Sequence, residues 1–279
     1  MPSWVLPPSR IAAVLVVLVA LGVGLAWAWG RAFHHYDRAP ELAPVPKRTE
    51  NARHVPGDPI NVALVGSFDE MRGAFLSAGW AVAAPLSLRS DIAIARSVLR
   101  DRPDSSAPVS RLFLFGRMED VAFEREVGRS ATHRHHVRFW QAPDLTIQGR
   151  PVWLGAATFD AGVGLSHRGF HPTHHIARDI DAERDTVLAD LAATGRLAER
   201  FSVTGIGPVI GGRNAEGDPF DTDGELAVAI VRPSGAAGGP PSVASAPLPA
   251  LWKNQVWRWA SGAAGTVRAA AADSTSAQP

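Results

Sequence analysis

Residues Ile11–Trp29 read IAAVLVVLVALGVGLAWAW, nineteen residues without a charge, bracketed by Arg10 and Arg31. Wound as a helix at about 1.5 Å per residue, the run just crosses a hydrocarbon core of about 30 Å. If the helix is retained, whatever follows it folds with one end held at a bilayer. Trp4 lies on one side of the run and Trp27 and Trp29 on the other, where interfacial aromatics belong. Ala26-Trp-Ala28 has small residues at a signal-peptidase spacing, but signal-peptide cores run to roughly 7–15 residues, and this run is longer. It also lacks the polar face of a soluble helix. The expectation is an uncleaved anchor over residues 1–38, spanning at about 11–29. Arg31, Arg38, Lys47 and Arg48 outnumber Arg10 plus the free amine, which favours a cytoplasmic domain. A short tail before the apolar run is instead the pattern of a signal anchor, and the reading adopted is extracytoplasmic.

Composition divides the rest. Residues 39–56 are proline-rich with mixed charge and no periodicity, the pattern of a linker. After Pro233 the chain collapses to Ala, Gly, Pro and Ser, so 233–279 is expected to be disordered apart from a short segment at Leu251–Ala260. Between them, residues 57–232 form the domain. A net charge of +1 with no clustered basic face argues against nucleic acid as a partner. The chain has no cysteine, which excludes disulfides, zinc fingers and thiol chemistry.

Within the domain, Ile60–Val65 reads as a buried strand, followed by a helix that opens on the capping box Ser67…Glu70 and stops at Gly79. A second helix is predicted over Ser87–Arg100, where Leu88, Ile92, Ala95 and Leu99 make one stripe. Strands follow at Arg111–Gly116, Val121–Val127, His135–Trp140, Trp153–Asp160 and Thr173–Ile176. A helix over Asp179–Gly195 carries its acids in the first turn. Two last strands, Arg196–Gly207 and Glu225–Arg232, are joined by a Gly/Asn/Asp-rich loop at Gly211–Gly224. This order predicts an α+β fold: a mixed or antiparallel sheet packed by about three helices, behind one transmembrane helix and ahead of a disordered tail.

Seven of the ten histidines fall within Ala131–Arg184. Strand alternation puts His135, Val137 and Phe139 on the core face, and His136, Arg138 and Trp140 on the other, towards solvent or a cleft. The same parity groups His174 with Ile176 and turns His175 outward with Thr173. On the following helix Arg184 falls inside the apolar face, with Asp181 and Asp185 at its margin. A buried arginine needs a partner, because an unpaired buried charge is costly.

Four blocks of residues resemble the LssY C-terminal domain family: Gly57–Gly66, Arg134–Trp140, Trp153–Asp160, and Thr173–Ile176 with Asp181–Asp185. The resemblance covers roughly Gly57 to Arg232. It implies a bacterial inner-membrane protein, single-pass here, whose domain sits behind an anchor or is fused to DedA-like and phosphatidic-acid-phosphatase-like membrane domains. It also implies the company of type I secretion systems, and no particular reaction. The phosphatase partner's Pro-Ser-Gly-His block is not met, since Pro233-Ser-Gly235 runs into Ala236.

The candidate polar site is therefore His135, His136, Arg138, Asp160, His174, His175, Asp181, Arg184 and Asp185. Two accounts compete for it. In one, His136, His175 and Asp160 supply nitrogen and oxygen ligands to a divalent metal, with Arg138 holding an anion. In the other, the histidines are half-exposed strand residues, and the arginines pair with Asp181 or Asp185 to lock the helix to the sheet. No nucleophile elbow exists, and Gly205–Gly212 opens no helix, so nucleophilic and phosphate-loop chemistry are disfavoured. Two functions follow: a partner- or ligand-binding accessory beside a secretion or membrane-lipid system, or a metal-assisted hydrolase acting on an anionic or phosphorylated envelope substrate.

Overall fold

A computed structural model describes residues 7–33, 38–83, 111–128, 130–168, 172–204, 209–260 and 262. The helix expected over Ser87–Arg100 lies outside these residues. The apolar run forms α1 (Pro8–Phe33), whose Ser9–Arg31 stretch is long and apolar enough to cross a membrane, and its apolar side chains are exposed.

The domain is α+β. Its strands are β1 (Arg48–Asn51), β2 (Pro56–Pro59), β3 (Val62–Val65), β4 (Ala81–Val82), β5 (Leu112–Leu114), β6 (Arg117–Met118), β7 (Val121–Val127), β8 (Ser130–Ile147), β9 (Arg150–Leu165), β10 (Pro172–Ile176), β11 (Leu197–Thr204), β12 (Val209–Arg213), β13 (Pro219–Thr222), β14 (Glu225–Val231) and β15 (Ser242–Val243). The helices are α2 (Phe68–Ser77), α3 (Ile180–Ala193) and α4 (248–260). The main sheet runs β15-β11-β14-β3-β9-β8-β7-β4, with β10 also pairing β9. It is mixed, because β14–β3 and β11–β15 are parallel and the other pairs antiparallel.

Alternation along β8 and β9 sorts the core into two layers. On one face Val137, Phe139, Trp153 and Ala157 meet Phe75 of α2 and Val187, Leu188 and Leu191 of α3. The Ser67 capping box closes the start of α2 through both of its hydrogen bonds. On the other face Trp140, Leu154 and Ala156 meet Leu42, Leu112 and Leu114. That second layer is the four-stranded sheet β2-β1-β5-β6.

This layer departs from the composition-based reading. Residues 39–56 were expected to be a linker, yet Ala39 and Leu42 are fully buried and Arg48–Asn51 pairs on both sides. Their few apolar side chains suffice because the main sheet offers an apolar second face to receive them. Arg111–Gly116 likewise belongs to the small sheet. The Gly211–Gly224 loop holds part of the β12–β13 hairpin. In the expected tail, Ser242–Val243 adds an edge strand and 248–260 is helical, held by Lys253, whose Nζ reaches Glu225 Oε1 at 2.5 Å. Beyond 262 the tail lies outside the described residues.

Candidate functional site

The second face of the main sheet is apolar at Trp140, Leu154 and Ala156 and becomes polar further along the same strands. Arg138 and His136 of β8 lie on it beside Thr158 and Asp160 of β9, because His136 pairs with Thr158 and Arg134 with Asp160. Thr173 and His174 of β10 adjoin them from beyond β9, and Asp58 and Leu112 come from the small sheet. The turn Asn214–Glu216 between β12 and β13 closes the top. Together these residues line a partly open cavity of about 30 Å³. That is room for a water or the polar tip of a ligand, not for a whole substrate.

His136 and Arg138, expected to face solvent or a cleft, are only 5% and 4% exposed and line this cavity. The reason is the unforeseen second layer. His174, rather than His175, joins them there, with its Nδ1 3.7 Å from Asp160 Oδ2. A bulge between His175 and Ile176 breaks the strict alternation on which the parity argument relied. Arg134 Nε donates to Asp160 at 2.8 Å and its Nη1 to Glu124 at 3.0 Å. Asn214 donates to Asp58 at 3.1 Å.

These surroundings set the charges. Burial, then Arg138, Arg134 and His174, hold His136 well below the usual histidine range, so it is neutral at physiological pH. Burial raises the carboxyl of Asp58, while Arg138 and Asn214 pull the other way.

His175 lies beside the cavity in a separate cluster. Its Nδ1 shares a hydrogen bond with Asp218 Oδ1 at 2.6 Å, and His167 Nε2 stands 3.4 Å from the same oxygen. The other carboxylate oxygen is held by the Ile176 N–H at 3.3 Å. The donor atoms of His167, His175 and Asp218 all lie within 4.8 Å of one another, and among the described residues no other histidine and carboxylate group converges so closely. The expected set of His136, His175 and Asp160 is thus divided between two neighbouring clusters. A Cβ on Gly164 would sit 2.6 Å from the His175 ring, so this imidazole rests over a glycine, and one on Gly217 would sit 2.8 Å from His167 Cβ. Sequence reasoning missed Asp58, His167, Asn214 and Asp218. Asp58 lies in the Gly57–Gly66 block, which carried the resemblance but no site residue.

The remaining predicted residues are structural in their contacts. His135 faces α3 and bonds Glu183 at 2.7 Å. Arg184 is buried and reaches Asp181 at 3.1 Å, Asp185 at 3.0 Å and Asp223 at 3.0 Å, with a further bond to the Glu225 carbonyl. Asp181 in turn accepts from the Asp223 N–H and the Thr222 hydroxyl. This network ties the start of α3 to the β13–β14 turn. Asn61, fully buried, adds a second tie by bonding Ala157 in both directions and the Ile180 carbonyl.

An α+β domain with charged and imidazole groups sunk into one face of its sheet, behind an apolar helix, defines a class before it defines a protein. The chain belongs to the LssY C-terminus family, whose model matches residues 42–226. No curated protein and no solved structure matches the chain.

Proposed function

We propose that this protein is a membrane-anchored binding domain of the bacterial envelope. In this reading α1 is retained as a single-pass anchor in the inner membrane, and the domain stands outside the cytoplasm. Its cavity takes the anionic tip of a small ligand or of a partner in a secretion or membrane-lipid system. One observation carries the reading: Arg138, only 4% exposed, lines a small space that is polar and partly open, beside a His136 that burial keeps neutral. Arg138 offers the planar fork that matches a carboxylate or phosphate edge. Titrating the full chain with acetate and inorganic phosphate, while following the His136 ring by NMR, tests it. A saturable shift that Arg138→Met abolishes supports the reading, and no shift with either anion removes it.

A second reading, a metal-assisted hydrolase of anionic or phosphorylated envelope substrates, draws on the His167, His175 and Asp218 cluster. Two imidazoles and an oriented carboxylate are donors that first-row divalent ions accept. Elemental analysis of the purified full chain decides it. Stoichiometric metal lost in His175→Ala and Asp218→Asn favours the hydrolase, whereas a metal-free chain after growth with added zinc eliminates it.

A further inference from the structure

Helix α4 follows β15 and shows two unlike faces. Ala250, Lys253 and Trp257 turn towards the domain and are buried. On the opposite side Leu248 is 80% exposed, Trp252 66% and Trp259 75%, with Leu251 and Val256 beside them. At 100° per residue these five make one stripe, interrupted only by Gln255. Two tryptophans and three aliphatics in a contiguous exposed patch are more than a soluble surface usually carries. Leu and Trp on one face of a helix with basic and polar flanks is the composition of a helix lying in a membrane interface.

The tether makes the membrane the fitting occupant. Only residues 34–37 separate Phe33, the end of α1, from Arg38, whose guanidinium pairs with Glu199 of β11 at 3.5 Å. Those five chain steps reach no further than roughly 18 Å. Glu199 is also the residue beside which Ser242 of β15 pairs. Arg38, five chain steps from the end of the anchor, and the strand that leads into α4 therefore meet at Glu199 on one edge of the sheet.

We infer that α4 is a second membrane contact, laying Leu248, Trp252, Val256 and Trp259 into the headgroup–acyl boundary of the bilayer that α1 crosses. The inference rests on the anchor reading of α1. With two contacts the domain has a fixed face towards the membrane instead of swinging on its tether.

The absence of cysteine makes the test direct. Single variants Val256→Cys, Val16→Cys and Glu126→Cys of the full chain are labelled with a small fluorophore and reconstituted in nanodiscs of phosphatidylcholine and phosphatidylglycerol with brominated acyl chains. Glu126 lies on β7, near the opposite edge of the sheet. The expected result is quenching at 256 of the same order as at 16, little at 126, and loss of the 256 signal in a Trp252→Ser/Trp259→Ser background that keeps its far-UV circular dichroism. Quenching at 16 without quenching at 256 overturns the inference and leaves the anchor standing. No quenching at 16 fells the anchor reading and the inference with it. A dimer captured by a bifunctional maleimide at 256, without quenching there, gives the face to a second copy of the chain and also overturns it.

Discussion

Arg184 on α3 and His136 on β8 are both buried, yet their surroundings drive their charges in opposite directions. Burial works against the Arg184 cation, but Asp223, Asp181 and Asp185 outweigh it and hold the guanidinium above its ordinary pKa. At His136 burial and the neighbouring guanidinium groups of Arg138 and Arg134 act together, and the imidazole stays neutral. The first cluster surrounds one cation with acid and bonds it on several sides. The second sets Arg138 and the neutral His136 beside Asp58 and Asp160 around a space of about 30 Å³. The first cluster closes on itself, whereas the second borders a polar, partly open space. By that criterion Arg184, Asp181 and Asp185 hold α3 in place, and the cavity over β8 and β9 is where a ligand would enter.

The comparison can be broken most forcefully at Arg184. Arg184→Met should cost about 3–5 kcal/mol in urea unfolding of the detergent-solubilised chain, because Asp181 and Asp223 would be left buried and uncompensated. A change below about 1 kcal/mol would remove the lock from the account. Next in size, Arg138→Met should weaken acetate or phosphate binding at least tenfold, about 1.4 kcal/mol, while costing less stability than the Arg184 change. The reverse order of stability losses would exchange the roles of the two clusters.

Two smaller effects separate the clusters by pH. Asp181 is raised to about 6, chiefly by burial and also by Asp223, against the opposing pull of Arg184. An unfolded aspartate titrates near about 3.9, so the folded state keeps a proton that the unfolded state has released. Stability should fall as pH rises from about 4 to about 6, and Asp181→Asn should flatten that fall. His136 has the opposite slope. Its folded pKa lies below the unfolded value of about 6.5, so stability should be lost as pH drops below that value. His136→Gln should remove this acid sensitivity. Unfolding midpoints measured from pH 4 to pH 8 read both slopes, and identical profiles for wild type and both variants would contradict the charge assignments.

Local chemistry made part of this legible in the sequence. The capping box at Ser67 and Glu70 specifies its own geometry, and a 100° wheel is enough to turn Arg184 inward. The alternation of His135 to Trp140 divided the residues correctly between two faces. It could not tell that both faces are covered, because the covering layer pairs the legible strand at Arg111–Gly116 with residues 39–59, whose proline and charge content hides their pairing. Nor could it place His174 and His175, since one bulge undoes a period-two argument. Asp58, Asn214 and Asp218 sit on short strands and turns distant in sequence, and only tertiary closure brings them to the histidines.

The parallel pairing of β3 with β14 has a consequence for how the chain is made. Val62 must wait for Ala227 to complete its register. Contacts so distant in sequence are slow to form and leave strand edges open meanwhile. A nascent chain of this protein therefore carries an unfinished sheet until β14 has been made, and its assembly should depend on whatever shields those open edges meanwhile.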